Sequence, residues 1–518
     1  YVGRMQCELH LYEATDSLHY KLGAFASAEA IRSPLLYHAL QRSEALHTSD
    51  IEPELLQQEQ ELRMKMTYLE KQKYVEMDLG ERSADSTLQV VTAHLLQYNA
   101  EYQSLQQELE QKYPKYLAAR YGQQTVSTEK IQKELLEPNQ TLVEYLLTDS
   151  SIYIFLLQKE DYQLMVVPHQ DEITPLVERM TKDGLYSYHS ASVDRRSPQL
   201  EEESIFNYTE AAVKLYQKLW APIEDQVTER VIIIPDQALA NLPFETLLAK
   251  DPPRYGKIPL YDFLLKKHSI SYGNSATLLH QTIQSQKTRA TVKPFLGIAP
   301  FSEAEAGIAL KEEENQSPLG IQRDSLGSLI NSAKEVLEIS RLFQGDTWLG
   351  SSGTKARFVE ESSKYKILHL STHGKANHRM GDFAYLAFQQ EGASSGFIKL
   401  YAKDIYNLRL QADLVVLSAC ETGLGRLRQG EGVISLARAF TYAGARSIIN
   451  TLWAVDDEST ATLMIAFYEQ LIKGVPKDVA LQRAKLSYLQ QLAGKPEKLA
   501  PFYWAPSILI GEVSPLGK

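Results

Sequence analysis

The sequence predicts an α/β fold: a mostly parallel sheet flanked by helices, behind an α-helical N-terminal region of repeat and coiled-coil character. Three observations predict it. From about residue 130 onward, short runs of apolar, β-branched residues alternate with stretches of helical period, the pattern of a doubly wound parallel sheet. Before that point apolar residues recur every three or four positions, as on one face of a helix. In the last third, the run Leu414-Val415-Val416-Leu417 is too short for a free helix and apolar without alternation, as a strand buried on both faces is.

The elements follow in order. Residues 1–50 read as helices. Tyr20-Lys21-Leu22-Gly23-Ala24-Phe25-Ala26 and Ser33-Pro34-Leu35-Leu36-Tyr37-His38-Ala39-Leu40 have the character of a degenerate helix-turn-helix repeat, with Pro34 in the first turn of a helix capped by Ser33. One or two such units cannot bury a face alone, so they need neighbours. The chain starts with Tyr1 already in a helical pattern, which predicts a piece of a longer protein with further repeats upstream. Residues 51–121 predict a long helical hairpin. Leu55, Leu62, Met66 and Leu69 form one stripe; Leu95, Tyr98, Tyr102, Leu105 and Leu109 form the facing seam, joined across Gly80 to Asp85. The plain reading is a spacer packed beside the α/β part, and the sharper one is a lever that relays partner binding.

After Pro114 the period changes. Thr141–Leu146, Ile152–Leu157 and Tyr162–Val167 predict a three-stranded meander turning at Asp149-Ser150-Ser151. A helix at Ser204–Trp220 precedes strands at Arg230–Asp236, Ser269–Tyr272 and Pro294–Ala299. Residues 303–325 are acidic with no apolar period and predict a solvated loop. A helix at Ser332–Phe343 opens on Ser332 with Glu335 three residues on, a capping-box pattern. Two strands follow, ending at Ser371-Thr372-His373-Gly374 and Ser418-Ala419-Cys420-Glu421. Helices at Val433–Tyr442, Ser459–Ile472 and Pro476–Leu492 bracket a strand at Ser447–Trp453, and Phe502–Ile510 closes the domain.

Composition bounds the function. The 518 residues suffice for two to four domains at about 100–200 residues each. Hydrophobic content of 44% and charged content of 23% are those of a globular protein. A formal net charge of -11 argues against nonspecific nucleic-acid binding and anionic membrane surfaces. No apolar run approaches the ~18 residues of a membrane span, and no secretory leader opens the chain. With Cys7 and Cys420 as its 2 cysteines there is no disulfide framework, so a reducing cytoplasm is expected. No His and Cys spacing matches zinc and no Gly-rich phosphate loop occurs, so no metal and no cofactor is expected.

The chemistry concentrates at the two strand ends. In open α/β sheets, ligands bind in the crevice beyond the carboxyl ends of the strands. His373 and Cys420 would project into one crevice there, an imidazole to deprotonate and a thiol to attack. His373 precedes Cys420 by 47 positions, close to the separation of about 50 in caspases. His369, within the strand, would face the core or a helix, and His378 lies beyond the turn. Singly, a buried Cys is ordinarily a small hydrophobe and a His a satisfied or surface group; the pair in this order favours catalysis.

The motifs His369-Leu370-Ser371-Thr372-His373-Gly374 and Leu417-Ser418-Ala419-Cys420-Glu421-Thr422-Gly423 resemble the CHAT family of caspase-like cysteine proteases. The resemblance runs on through Gly430-Glu431-Gly432-Val433-Ile434-Ser435-Leu436-Ala437-Arg438 and Asn450-Thr451-Leu452-Trp453-Ala454-Val455-Asp456-Asp457. It implies a caspase-like sheet, split into a pseudo-caspase-like half at 130–290 and a catalytic half at 291–518, behind tetratricopeptide-like repeats. It implies His373 as general base and Cys420 as nucleophile, with the backbone N–H groups of Gly374 and Cys420 as the oxyanion site. It implies a protein substrate, cut under control of an activating partner on the N-terminal helices, in prokaryotic defence or programmed cell death. Gasdermin-like pore formers and CRISPR complexes are such partners. Loops like 303–325 are cleaved in caspase relatives, which makes self-processing an expectation. Trp453, Asp456 and Asp457, with Asp382 as a rival, are candidates for a first subsite, where a buried acid would select Arg or Lys; Glu421 would order the loop. Each also has a plain reading as a cap or solvated acid, and Asp457 two residues before Ser459 fits a cap. The alternatives to a partner-cleaving enzyme are a noncatalytic scaffold and a protease that acts on itself alone.

Overall fold

The computed structural model describes residues 2–32, 36–37, 40–41, 51–79, 85–114, 116–117, 125–170, 172–188, 198–252, 261–284, 293–302, 326, 329–390, 397–419, 422–423, 425–428, 432–492 and 496–517. The expected Ser33-Pro34 cap, the hairpin connection at 80–84 and the acidic loop 303–325 lie outside these residues.

Helices α1 (Val2–Thr15) and α2 (Leu18–Ile31) open the chain. The neighbour they need is a sheet: Met5, Leu9, Phe25 and Ala28 pack against Leu142, Phe155 and Ile234. Two buried carboxylates pin α2 in place. Glu29 accepts the Ala276 and Thr277 N–H groups at 2.9 and 2.7 Å. Arg32 donates to Glu144 at 2.6 Å and to the Pro235 carbonyl at 2.9 Å. The expected hairpin is present as α3 (Pro53–Leu79) and α4 (Asp85–Lys112). Its seam is Leu55 and Leu62 on Leu105 and Leu109, then Leu69 on Val91 and Leu95.

The α/β part begins with the antiparallel strands β1 (Gln140–Leu147), β2 (Ser151–Leu157) and β3 (Tyr162–Pro168). Helix α5 (Pro198–Leu219) leads to β4 (Arg230–Ile234) and β5 (Ser269–Tyr272), and α6 (Ala276–Gln284) to β6 (Lys293–Ala299). Then come α7 (Ser332–Phe343), β7 (Asp346–Leu349), β8 (Tyr365–Ser371), β9 (Gly374–Lys375), β10 (Tyr385–Gln389), β11 (Phe397–Tyr401) and β12 (Leu414–Ser418). The chain closes with β13 (Arg426–Arg428), β14 (Gly432–Ile434), α8 (Leu436–Tyr442), β15 (Ser447–Thr451), α9 (Asp457–Leu471), α10 (Lys477–Gln491) and β16 (Ser507–Gly511).

Among the described residues one 11-stranded sheet runs β3-β2-β1-β4-β5-β16-β15-β12-β8-β6-β7. It is parallel apart from the β1–β2–β3 meander and the β15–β16 pair. Strand β16 returns between the two halves, antiparallel to β15 and parallel to β5. Strands β1, β4, β5 and β16 therefore run parallel to one another and opposite to β15, β12, β8, β6 and β7. The expected mostly parallel sheet flanked by helices is present, with this reversal added. The central strands β4, β12 and β15 are buried along their whole length, as unalternating apolar runs require. Helices α9 and α10 cover one face around Val416, Ile449 and Phe467, and α8 the other around Val415, Leu417 and Phe440. At about 1.5–3 kcal/mol for each fully buried aliphatic or aromatic side chain, these layers hold β8 and β12 rigidly.

Three local expectations change. The helix expected from Val433 starts at Leu436, because the Ser435 side chain caps it by accepting the Arg438 N–H at 3.4 Å. Val433 instead sits in β14, paired with β13, so the expected loop Gly423–Gly432 carries a hairpin arm. Glu335 forms no capping box: Ser332 donates to the Leu329 carbonyl at 2.7 Å and the carboxylate turns into the sheet. The cap of α9 is Asp456 rather than Asp457.

Candidate active site

Strands β8 and β12 lie side by side and parallel, with Ser371 opposite Ser418. They end level. In sequence His373 stands two residues beyond Ser371, and Cys420 two beyond Ser418. Cys420 and Glu421 lie outside the described residues.

The turn carrying His373 is fixed from several sides. Thr372 donates its hydroxyl to the Ala387 carbonyl at 2.6 Å. Ala387 N–H donates to the His373 carbonyl at 2.9 Å. The Phe301 ring, just past β6, meets the His373 ring edge-on at 5.0 Å between centroids. Gly374 opens β9, opposite Leu386 of β10. Hydrogen-bonded and non-bonded pairs alternate along an antiparallel ladder, so with His373 in a bonded pair Gly374 falls in the other kind. Its N–H points away from β10.

The segment around Cys420 is tied down on both flanks by one residue of β15. Thr451 donates its hydroxyl to the Ala419 carbonyl at 2.5 Å. Its N–H donates to the Thr422 hydroxyl at 3.0 Å, and its carbonyl accepts the Gly423 N–H at 2.8 Å. Gly423 has no room for a side chain: a Cβ there would stand 1.9 Å from Asn450 Nδ2. The Asn450 amide is buried, with neither its nitrogen nor its oxygen hydrogen-bonded.

Beneath the strand ends lies Glu335 of α7, 1% exposed. Its carboxylate accepts the Ser371 hydroxyl at 2.8 Å and the Ser418 hydroxyl at 2.9 Å. His369 approaches it at 3.2 Å without the alignment of a hydrogen bond, and the other ring nitrogen lies 3.3 Å from the Tyr468 hydroxyl. His369 is fully buried and His378 exposed, as their positions along the strand and turn imply.

The subsite candidates each have a partner of their own within the fold. Trp453 is buried and donates its indole N–H to the Phe502 carbonyl at 3.0 Å, a core role. Asp456 accepts the Ser459 N–H at 2.9 Å and pairs with Lys498 at 2.9 Å. Burial works against its charge, but the Ser459 and Lys498 bonds outweigh it and hold the carboxyl below the usual range. Asp457 is pushed up by burial, against the bond it accepts from the Asn331 N–H at 2.7 Å. Asp382 follows the His373 turn and accepts the Tyr406 hydroxyl at 3.1 Å.

The hairpin reaches this region. Tyr74 of α3 stacks on Phe383 with centroids 4.0 Å apart, and its hydroxyl accepts the Asn377 amide at 2.9 Å. Lys71 pairs with Asp404 at 2.6 Å. Phe301, Glu335, Thr451 and Tyr74 carried no site signal in the sequence. Glu335 read as a cap, and the others lack any local pattern to mark them.

Comparison with known proteins gives three findings. The CHAT domain family model matches residues 209–512. Tetratricopeptide repeat protein 28 of Mus musculus is 25% identical over 216 residues, 36% of this chain and 9% of its own length; the Homo sapiens protein of that name is 24% identical over 36% of this chain and 8% of its own. The chain thus spans a small fraction of these relatives. Among solved structures, the separase–securin complex of Saccharomyces cerevisiae aligns at a TM-score of 0.46 and 10% identity, over 77% of this chain and 32% of that one. The RgpB pro- and mature-domain complex of Porphyromonas gingivalis aligns at 0.34 and 13%, over 67% and 77%.

Proposed function

The chain belongs to the CHAT domain family, and from that premise we propose that it is a cysteine endopeptidase using His373 and Cys420 as its working pair. His373 takes the thiol proton of Cys420. The thiolate attacks a peptide carbonyl, and the protonated imidazole returns the proton to the leaving amine. Water, activated by the same imidazole, then releases the acyl group. The Gly374 N–H, directed away from β10, and the Cys420 N–H stabilise the tetrahedral oxyanion.

The observation that carries this reading is the register of β8 and β12, which sets Ser371 opposite Ser418. Two parallel neighbours ending level, with an imidazole and a thiol equally far beyond their ends in sequence, is an arrangement that favours proton transfer between them. The substrate is a dedicated partner protein, with defence effectors of the gasdermin-like kind as the expected class. The N-terminal helices regulate the enzyme. Supporting that is the Tyr74 contact with Asn377 and Phe383, in the segment directly after His373. Among the described residues no helix is long and apolar enough to cross a membrane.

The test is incubation of wild type, Cys420→Ala and His373→Ala with candidate partner proteins, each fragment identified by mass spectrometry. Cleavage of a partner by wild type alone supports the proposal. Identical patterns for all three proteins would leave a noncatalytic scaffold. Fragments of this chain alone, in wild type only, would mean a protease confined to itself.

A further inference from the structure

We propose that Glu335 is the positioning residue of the His373–Cys420 pair, the one carboxylate that sets the two strand ends against each other. This rests on the peptidase reading above. Ser371 and Ser418 belong to different strands, face each other in register, and donate their hydroxyls to the same side chain at 2.8 and 2.9 Å. Each stands two residues before one member of the pair. Filling space between helix and sheet needs no polar group, and a carboxyl group taken out of water is costly unless it is hydrogen-bonded. At 1% exposure Glu335 has those bonds from the two serines. His369, at 3.2 Å, walls the carboxylate in from the strand below.

The leverage is geometric. Each reactive residue follows its clamped serine by only two positions in sequence. A slip of one strand against the other would shift the imidazole against the thiol. A misplacement of about 1 Å can cost about 10²-fold in rate. The carboxylate acts through the two serines.

The experiment compares wild type with Glu335→Ala, Glu335→Gln and the Ser371→Ala/Ser418→Ala double variant. One readout is kcat and KM, measured separately on a cleaved partner. The other is the rate of iodoacetamide alkylation of Cys420 by peptide mass spectrometry, with exposed Cys7 as internal standard. The expected result for Glu335→Ala is a loss of kcat of about 10²-fold, KM within twofold, and a fallen Cys420-to-Cys7 alkylation ratio. Glu335→Gln keeps an acceptor and recovers part of both. The serine pair reproduces the loss and adds nothing to it in the Glu335→Ala background. If Glu335→Ala does not fold, Glu335→Gln and the serine pair carry the test. Folded Glu335→Gln and serine-pair proteins with wild-type kcat and alkylation ratio overturn the assignment of Glu335 while leaving the peptidase intact. A wild-type Cys420 that reacts no faster than Cys7, and no slower after His373→Ala, overturns the peptidase reading and this inference with it.

Discussion

Thr451 offers the sharpest single perturbation. It is 1% exposed, and its hydroxyl holds the Ala419 carbonyl at 2.5 Å, one residue before Cys420. Thr451→Val keeps the shape and exchanges the hydroxyl for a methyl group. The Thr451 N–H bond to Thr422 and the Gly423 N–H bond to the Thr451 carbonyl survive, but the hydroxyl's contacts with the Thr422 N–H at 3.5 Å and the Thr422 hydroxyl at 3.3 Å are lost with the Ala419 bond, so the turn loosens on both flanks. A buried carbonyl deprived of its donor costs about 1–3 kcal/mol. Spent on local opening, that raises the open population about 5- to 150-fold. Hydrogen exchange on a peptide spanning 414–423 should accelerate by a factor in that range, with kcat falling about tenfold or more and KM little changed. Thr451→Ser, which retains the hydroxyl, should exchange within a few-fold of wild type. Exchange within twofold of wild type in Thr451→Val, together with an unchanged kcat, would refute the claim that this bond fixes the nucleophile segment.

Other expectations follow from the same kind of reasoning. Arg32→Met strands the fully buried Glu144 without its cation and should cost about 3–5 kcal/mol in urea unfolding; a loss under about 1 kcal/mol would mean α2 is not bolted to the sheet. Tyr74→Ala removes a stack worth about 0.5–1.5 kcal/mol and should raise hydrogen exchange in residues 374–383; protection as in wild type would remove the proposed route from hairpin to site. Burial alone would raise the Asp404 carboxyl, but Lys355 and Lys71 outweigh it and hold it below the usual range. A depressed folded pKa contributes stability that is present above about pH 4 and is lost as pH falls through the folded value. The stability gap between wild type and Asp404→Asn should therefore be constant from pH 6 to 5 and shrink below pH 4; a gap independent of pH would contradict it. If an acid of the first subsite selects Arg or Lys, Asp382→Asn should lower kcat/KM on basic fluorogenic peptides about tenfold; a panel with no basic preference in wild type removes that role from all the acids named.

Much of the fold was legible because its determinants are local. Four consecutive apolar residues at Leu414–Leu417, with β-branched residues among them, favour a strand in a two-sided layer, and the leucine seams of α3 and α4 sit at their own period. The locations of His373 and of the Cys420 motif came from the same local signal, a strand stopped by small residues. Where local signals compete, the reading slipped. Val433 fits a helix as well as a strand, and the Ser435 side chain decides where the helix starts. Glu335 fits a capping box by spacing, yet two distant hydroxyls offer it better bonds.

By itself, then, the order of residues marked most of the strands and helices, and which two strands are followed by an imidazole and a thiol. The tertiary structure alone decided that β16 returns between the halves and turns one against the other. It alone decided that β8 and β12 end level, and what lies under and beside them. The reason is distance along the chain. Glu335 meets Ser371 across 36 positions and Ser418 across 83, and Thr451 meets Ala419 across 32. Periodicity and capping rules act within a few residues, whereas these bonds exist only once helices and strands have packed and brought far parts of the chain together.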